Sequence, residues 1–179
     1  MPVITVSGFH GVGKSVLAKH IAKELGLRYI SAGQIFRQEA LRRGFSVEEF
    51  SVVASMNPEI DKAIDMRMLE EAKKGDVVID ALLAGWFVRE YADLKIWLHA
   101  PLEVRVRRIV EREGRGYEEV LRETIIRESL ERERFFRYYG INIDDLRIYD
   151  IVLNTEGLSL EDLLEIGLYL VKRMLRRKY

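Results

Sequence analysis

The chain has 179 residues, 48% of them hydrophobic, a length that suits one domain with a substantial core and room for a mobile insert. Its 29 Lys plus Arg balance 29 Asp plus Glu, so no global field draws it onto nucleic acid or an anionic membrane, and an anionic ligand must be held by local charge. Cysteine is absent and the three histidines, His10, His20 and His99, are scattered, which excludes disulfides and thiolate metal sites and argues against structural zinc; no basic stretch with an apolar core precedes the first strand and no apolar run reaches about 18 residues, which predicts a cytoplasmic protein with no membrane attachment.

The first predicted strand covers residues 3–8. Directly after its apolar part, Gly8-Phe9-His10-Gly11-Val12-Gly13-Lys14-Ser15 fits the phosphate-loop pattern G-x-x-x-x-G-K-[ST] completely. The pattern requires a strand before it and a helix after it, and both are predicted here. Glycines let backbone N–H groups converge on phosphate oxygens with no Cβ in the way. The helix predicted over 14–25, stopped by Gly26, turns its positive end toward the same anion. In such a loop Lys14 reaches the β- and γ-phosphates and the Ser15 hydroxyl ligates Mg2+. His10 occupies a variable loop position and is expected to be a bystander. The bland alternative is a Gly-rich turn that binds nothing.

The second strand, 28–32, leads through "SAGQIFR" into a helix over 34–43 that carries Arg37 one turn in. A guanidinium there can fork onto a phosphate, although most helix arginines are simply solvated. Ser46 with Glu49 reads as a capping box opening another helix, and 59–74 forms a further amphipathic one. The third strand, 77–83, contains "VVID". Asp80, near the tip of a parallel strand, faces the crevice where such sheets bind ligands and is expected to hold Mg2+ or its water. The alternative is a loop aspartate that caps the next turn. A fourth strand over 94–100 precedes a helix with Pro101 in its first turn, running to about residue 113.

Residues 117–139 are densely charged, show little continuous apolar stripe and predict a long helical excursion. There "RESLERER" places Arg127, Glu131 and Arg134 at i, i+4 and i+7 on one face, the arginines about 10 Å apart along the axis. Such a face can close over a phosphate bridge and supply charge to a moving phosphoryl group. Equally, Glu123–Arg127, Arg127–Glu131, Glu128–Arg132 and Glu133–Arg137 are i,i+4 pairs that suit a salt-laced exposed helix. A fifth strand over 149–155 is followed by a helix opened by Ser159 to Asp162 and ending in the basic "KRMLRRKY". Strand and helix alternation implies a mainly parallel sheet with right-handed crossovers.

Taken in order, "SAGQIFR", "PEIDKAID", "LAGWFV", "ADLKIWLHAPLEVRVRRI", "REGRGYEEVL", "RESLERER" and "YGINIDDLRIYDIVLNT" resemble the cytidylate kinases of archaeal type, within the nucleoside monophosphate kinases. The resemblance implies an α/β P-loop NTPase three-layer sandwich, with a five-stranded parallel sheet, helices on both faces and a helical lid. It implies one kinase domain over 1–179: a core of 1–32, 76–113 and 148–179, a monophosphate-binding segment of 33–75, and a lid of about 114–140. The implied reaction moves the γ-phosphoryl of ATP to CMP or dCMP with Mg2+, giving ADP and CDP or dCDP. By motif, Gly8, Gly11, Val12, Gly13, Lys14, Ser15 and Val16 fall on the ATP side, joined by Arg108 and Arg112. Ser31, Gly33, Arg37, Arg67, Arg127, Glu131 and Arg134 fall on the acceptor side, and Ser15 and Asp80 on the metal. Lys14, Asp80, Arg127 and Arg134 are the implied catalytic residues, and Asp61 and Asp65 share with Arg67 a helix that can face the base.

Two positions depart from the family pattern. Asp80-Ala81-Leu82 stands where the family reads Glu-Gly-Arg or Asp-Gly-Arg, and Met68 stands where a glutamine is expected. Both lie on the acceptor side. UMP, AMP or a non-nucleotide acceptor therefore stays open beside CMP, as does a nucleotide-binding protein that transfers nothing. The expected partners are small nucleotides and not nucleic acid, with the chain a monomer.

Overall fold

In the computed structural model, which describes residues 1–176 and the side chains of all of these but 47, 48, 51 and 55, five short runs rich in Val and Ile form one sheet. They are β1 (Val3–Ser7), β2 (Arg28–Ser31), β3 (Val77–Asp80), β4 (Leu94–His99) and β5 (Ile151–Asn154), ordered β2-β3-β1-β4-β5 with every pair parallel. Central strands of a parallel sheet are covered on both faces, and β1 and β3 are buried at every residue. Their period-two alternation divides them between two cores. Val3, Val77 and Ile79 pack with Ile35, Phe50, Ile60 and Met68, whereas Ile4, Val6 and Val78 pack with Leu17, Ile21, Leu163 and Val171.

The helices are α1 (Lys14–Leu25), α2 (Ala32–Arg42), α3 (Val47–Met56), α4 (Pro58–Lys73), α5 (Ala84–Phe87), α6 (Leu102–Glu113), α7 (Tyr117–Tyr139) and α8 (Leu160–Leu175). Capping boxes Ser46/Glu49 and Ser159/Asp162 open α3 and α8, and Asn57 with Pro58 opens α4. Helices α1 and α8 cover one face of the sheet, and α2 to α5 the other. The last three residues of the basic C-terminal stretch lie outside the described residues. Among the described residues no helix is long and apolar enough to cross a membrane.

Two sequence expectations need correction. The third strand ends at Asp80, not at residue 83, because Ala81 to Leu83 leave the ladder and turn into the short α5, whose Gly85 N–H donates to Ser7 Oγ at 3.1 Å. The early stop leaves three strand ends level: Val6 lies opposite Asp80, and Asp80 opposite Ser31. Second, α7 does have an inward face, made by Val120, Thr124, Glu128, Glu131 and Phe135. Charge in the middle of that face hides it from a hydropathy reading. Glu128 meets Arg105 of α6 in a buried bidentate pair. Of the expected i,i+4 pairs, Arg127–Glu131 and Glu133–Arg137 form. Glu128–Arg132 is only a 3.9 Å contact, and Glu123 turns to Arg115 instead.

Candidate active site

The phosphate loop leaves β1 in a path only glycine follows. Gly8 has φ 137° and Gly11 φ 82°. A Cβ on Gly8 would lie 2.3 Å from the Leu98 carbonyl oxygen, and one on Gly11 would lie 2.6 Å from that of Arg105. Gly13 caps α1 in a left-handed conformation, so the helix begins at Lys14 with its first N–H groups facing the loop. Lys14 Nζ donates to the Phe9 carbonyl at 2.9 Å across the loop. Burial pushes its ammonium below the ordinary lysine value, against the opposing pull of Asp80 and Glu131. An anion in the loop would relieve that burial cost.

Asp80 is buried, and its Oδ2 accepts from Ser15 Oγ at 2.6 Å and from the Tyr29 hydroxyl at 2.9 Å. Burial, followed by the nearby Asp80 charge, pushes the Tyr29 phenol up to about 12, so it stays a donor. A hydroxyl and a carboxylate in contact are hard oxygen donors of the kind Mg2+ takes beside phosphate and water oxygens. Among the described residues no cluster of three His, Cys, Asp or Glu offers a self-sufficient metal cage.

Two cavities meet at the loop. A smaller one of about 300 Å3 lies over residues 10–16 and is closed by Arg108, Arg112, Thr155 and the start of α8. Val16 lines its outer side. Arg108 is braced there, donating to Thr155 Oγ1 at 2.9 Å and to the Thr155 carbonyl at 2.5 Å, while Thr155 Oγ1 donates to the Val12 carbonyl at 3.2 Å.

The larger cleft, about 1250 Å3, shares His10, Lys14, Ser15 and Arg112 with the first. It gathers Ser31, Gly33 and Arg37 from the start of α2, Asp61 and Asp65 from α4, and Arg127, Glu131 and Arg134 from α7. Ser31 Oγ accepts from the Gln34 N–H at 3.0 Å, capping α2, and the Arg37 guanidinium lies over Gly33. Arg67 is the exception: it stands on the exposed side of α4 and does not line the cleft. The helical period gives the reason, since residue 67 lies on the opposite flank of the buried stripe Ile60, Ile64 and Met68 from Asp61 and Asp65, which face the cleft.

His10 is not a bystander. Its Nε2 donates to Glu131 Oε1 at 3.3 Å, tying the phosphate loop to α7. The same oxygen accepts from Arg127 Nε at 3.2 Å, while the buried Glu131 Oε2 finds no hydrogen-bond partner among the described residues. Burial raises the Glu131 carboxyl, but the His10 hydrogen bond and the Arg127 charge outweigh it and hold the group below the usual carboxylate range. Arg134 Nε approaches Asp61 Oδ2 at 3.2 Å without hydrogen-bond alignment, so the two form an ion pair only. Arg115 and Arg122, unflagged by the sequence reading, also line the cleft. Arg115 is held by Glu113, Glu119 and Glu123. Leu82 forms part of the apolar wall and Met68 is buried in the core, so the missing arginine at 82 lies within a cleft already rich in guanidinium groups.

A family model described as the cytidylate kinase-like family matches residues 3–157. The chain belongs to this family. A cytidylate kinase of Staphylothermus marinus is 47% identical over 176 residues, covering 98% of this chain and 99% of that protein. One of Pyrococcus horikoshii is 49% identical, covering 92% of this chain and 85% of its own length. Among solved structures, shikimate kinase from Bacteroides thetaiotaomicron superposes with a TM-score of 0.65 at 19% identity, covering 98% of both chains. The fold is accordingly that of the P-loop kinases: a three-layer sandwich with a five-stranded parallel sheet.

Proposed function

We propose that this member of the cytidylate kinase-like family transfers the γ-phosphoryl group of ATP to CMP or dCMP, yielding ADP and CDP or dCDP. One observation carries the reading: the phosphate loop with Lys14 and the arginines Arg37, Arg127 and Arg134 line one continuous cleft. Two anion-binding sets facing a common space suit a donor and an acceptor that both carry phosphate. The likeness to relatives named cytidylate kinase over nearly the whole chain supports CMP as acceptor.

The chemistry asked of the protein is positioning and charge neutralisation. An oxygen of the acceptor phosphate attacks the γ-phosphorus, the bond to the β–γ bridging oxygen breaks, and ADP leaves with that oxygen. Gly8, Gly11, Gly13 and the α1 N-terminus hold the donor phosphates, and Lys14 exchanges its Phe9 carbonyl partner for phosphate oxygens. Val12, Val16, Arg108 and Arg112 form the nucleotide side of the loop, and Ser31, Gly33 and Arg37 the acceptor-phosphate side. Arg127 and Arg134 face the space between and offset charge on the moving group. Ser15 and Asp80 would hold Mg2+, which on binding with ATP neutralises its phosphates. Glu131 orients Arg127 through their shared hydrogen bond.

In this reading residues 33–75 form the monophosphate-binding segment and residues 114–140 a lid that excludes water, the competing acceptor. The chain acts as a monomer on small nucleotides in the cytoplasm, where ATP and CMP are both at hand. ADP release measured with ATP, Mg2+ and a panel of CMP, dCMP, UMP and AMP tests it. CMP and dCMP are expected to give the highest kcat/KM; ATP binding with no acceptor-dependent ADP would overturn the reading.

A further inference from the structure

We propose that Asp65 is the specificity-determining residue for the acceptor base, its carboxylate taking the exocyclic amino group of cytosine and turning uracil away. The inference rests on the acceptor being a pyrimidine monophosphate.

Asp65 lines the larger cleft half-buried, among Ile64, Met68, Phe87 and Phe135. Those apolar neighbours suit the faces of a flat ring. Its nearest fixed partner is the Tyr139 hydroxyl, which donates to Oδ2 at 2.6 Å. Tyr139 is itself held edge-on to Phe87, ring centres 4.9 Å apart, and stacked near Phe135 at 6.2 Å. One carboxylate oxygen is thus occupied and fixed in direction by α7.

Among the described residues no Lys or Arg forms an ion pair with Asp65, whereas Asp61, one turn earlier on the same helix, has Arg134 at 3.2 Å. A carboxylate drawn out of water without a cation is costly unless something else satisfies it. Burial accordingly pushes Asp65 up to about 7, with the Tyr139 hydrogen bond and the more distant Arg134 charge opposing and Asp61 adding to the rise. Such a group in a binding cleft is completed by its ligand.

The chemistry of the pyrimidines then decides the base. Cytosine presents an N4 amino donor at its edge, and a carboxylate is the acceptor that matches it. Uracil presents the O4 carbonyl at the same place, so against the ionised form of Asp65, the form that the cytosine amino group favours, two acceptors would face each other with no proton between them. The penalty for leaving buried polar groups unpaired is what makes hydrogen-bonding sites discriminate strongly. The hydrogen bond that Tyr139 donates to Oδ2 occupies that oxygen as an acceptor and leaves Oδ1 for the base.

The test compares kcat/KM for CMP, UMP and 2-pyrimidinone riboside monophosphate, which carries hydrogen in place of the amino group, in the wild type and in Asp65→Asn. For the wild type, loss of the amino group is expected to cost about 10- to 100-fold, chiefly in KM. In Asp65→Asn the CMP-to-UMP preference falls by at least about tenfold, CMP and the amino-free analogue become nearly equivalent, and the KM for ATP stays within about twofold. Equal losses for CMP and UMP in the variant would mark Asp65 as merely structural and overturn the proposal. If Asp65→Asn does not fold, the wild-type comparison of CMP with the amino-free analogue still decides: equal kcat/KM refutes it. A wild type that uses no pyrimidine monophosphate defeats the cytidylate kinase reading itself, and this inference with it. A wild type that uses CMP well without sensing the amino group defeats this inference alone.

Discussion

Glu128 and Arg105 are both almost fully shielded from water, and their pairing joins α7 to α6. Replacing Glu128 with Ala strands a guanidinium. Breaking a buried pair by removing one member costs about 3–5 kcal/mol. Arg105 would keep two other acceptors, the carbonyls of Ala100 at 3.0 Å and His10 at 3.2 Å, and its packing over the Phe9 ring at 5.4 Å. Those contacts place the expected loss at the lower end, about 3 kcal/mol, which for a chain of this length lowers Tm by about 6–12 °C. The assay is thermal unfolding followed by circular dichroism for Glu128→Ala, Glu128→Leu, Arg105→Met and Arg105→Met with Glu128→Leu, the last three closing the cycle. The apolar double variant should lose less than Glu128→Ala alone, with a coupling energy of at least about 2 kcal/mol. A loss below about 1 kcal/mol for Glu128→Ala, or single effects that simply add, would refute the reasoning.

Lys14→Met should lower kcat/KM for both substrates by about 100- to 1000-fold, because one preorganised charge at the phosphates is lost; its Tm should not fall, since a costly buried ammonium is removed. Arg37→Ala should raise the KM for CMP about 10- to 100-fold and leave that for ATP nearly unchanged, as expected for a charged contact to one substrate only. In Gly167→Ala the new Cβ would sit 2.5 Å from Leu17 Cδ1 in the α1–α8 packing, so urea unfolding should show a loss of about 1–3 kcal/mol with little change in KM. The folded state raises Asp65 to about 7 from an unfolded value near 3.8. Between those values it binds more protons than the unfolded chain, so this group's contribution to stability falls as pH rises from about 4 to about 7. Asp65→Asn should therefore stabilise the protein by roughly 1–2 kcal/mol at about pH 8 and have little effect at about pH 4, measured by melts at both values; a gain that is equal at the two would refute the assignment.

The phosphate loop was legible because its signal is local: a run of eight residues whose glycines each answer a steric demand at that point of the chain. The strands were legible too, since the central ones of a parallel sheet, β1 and β3, are buried at every residue and mostly apolar, and the edge strands keep short apolar runs. What sequence could not reveal lies where distant segments meet. Glu128 read as a member of a solvated charge ladder, and Glu131 stood open between such a ladder and the acceptor side; only the packing of α7 against α6 and the loop shows both turned inward. His10 looked idle because its partner is 121 positions away. Arg67 was placed with the base by motif, yet the helical register that buries Ile64 and Met68 carries it outside. Leu82 raised doubt about the acceptor site as a lone substitution, whereas Arg115 and Arg122 enter the same cleft from another element.

Helix α7, at 23 residues, is about 34 Å long. Glu128, Glu131 and Phe135 moor its second half to α6, to the loop and to the aromatic cluster around Trp97. Its first half is seated as well, Val120 packing against Val106 and Ile109 of α6, so α6 and α7 form one arm, and the part of that arm that bears on His10 is Glu131. An anion that draws Arg127 off Glu131 would leave that carboxylate oxygen to His10 alone. The phosphate loop and the arginine face of α7 thus meet at a single carboxylate oxygen, set apart from the sheet.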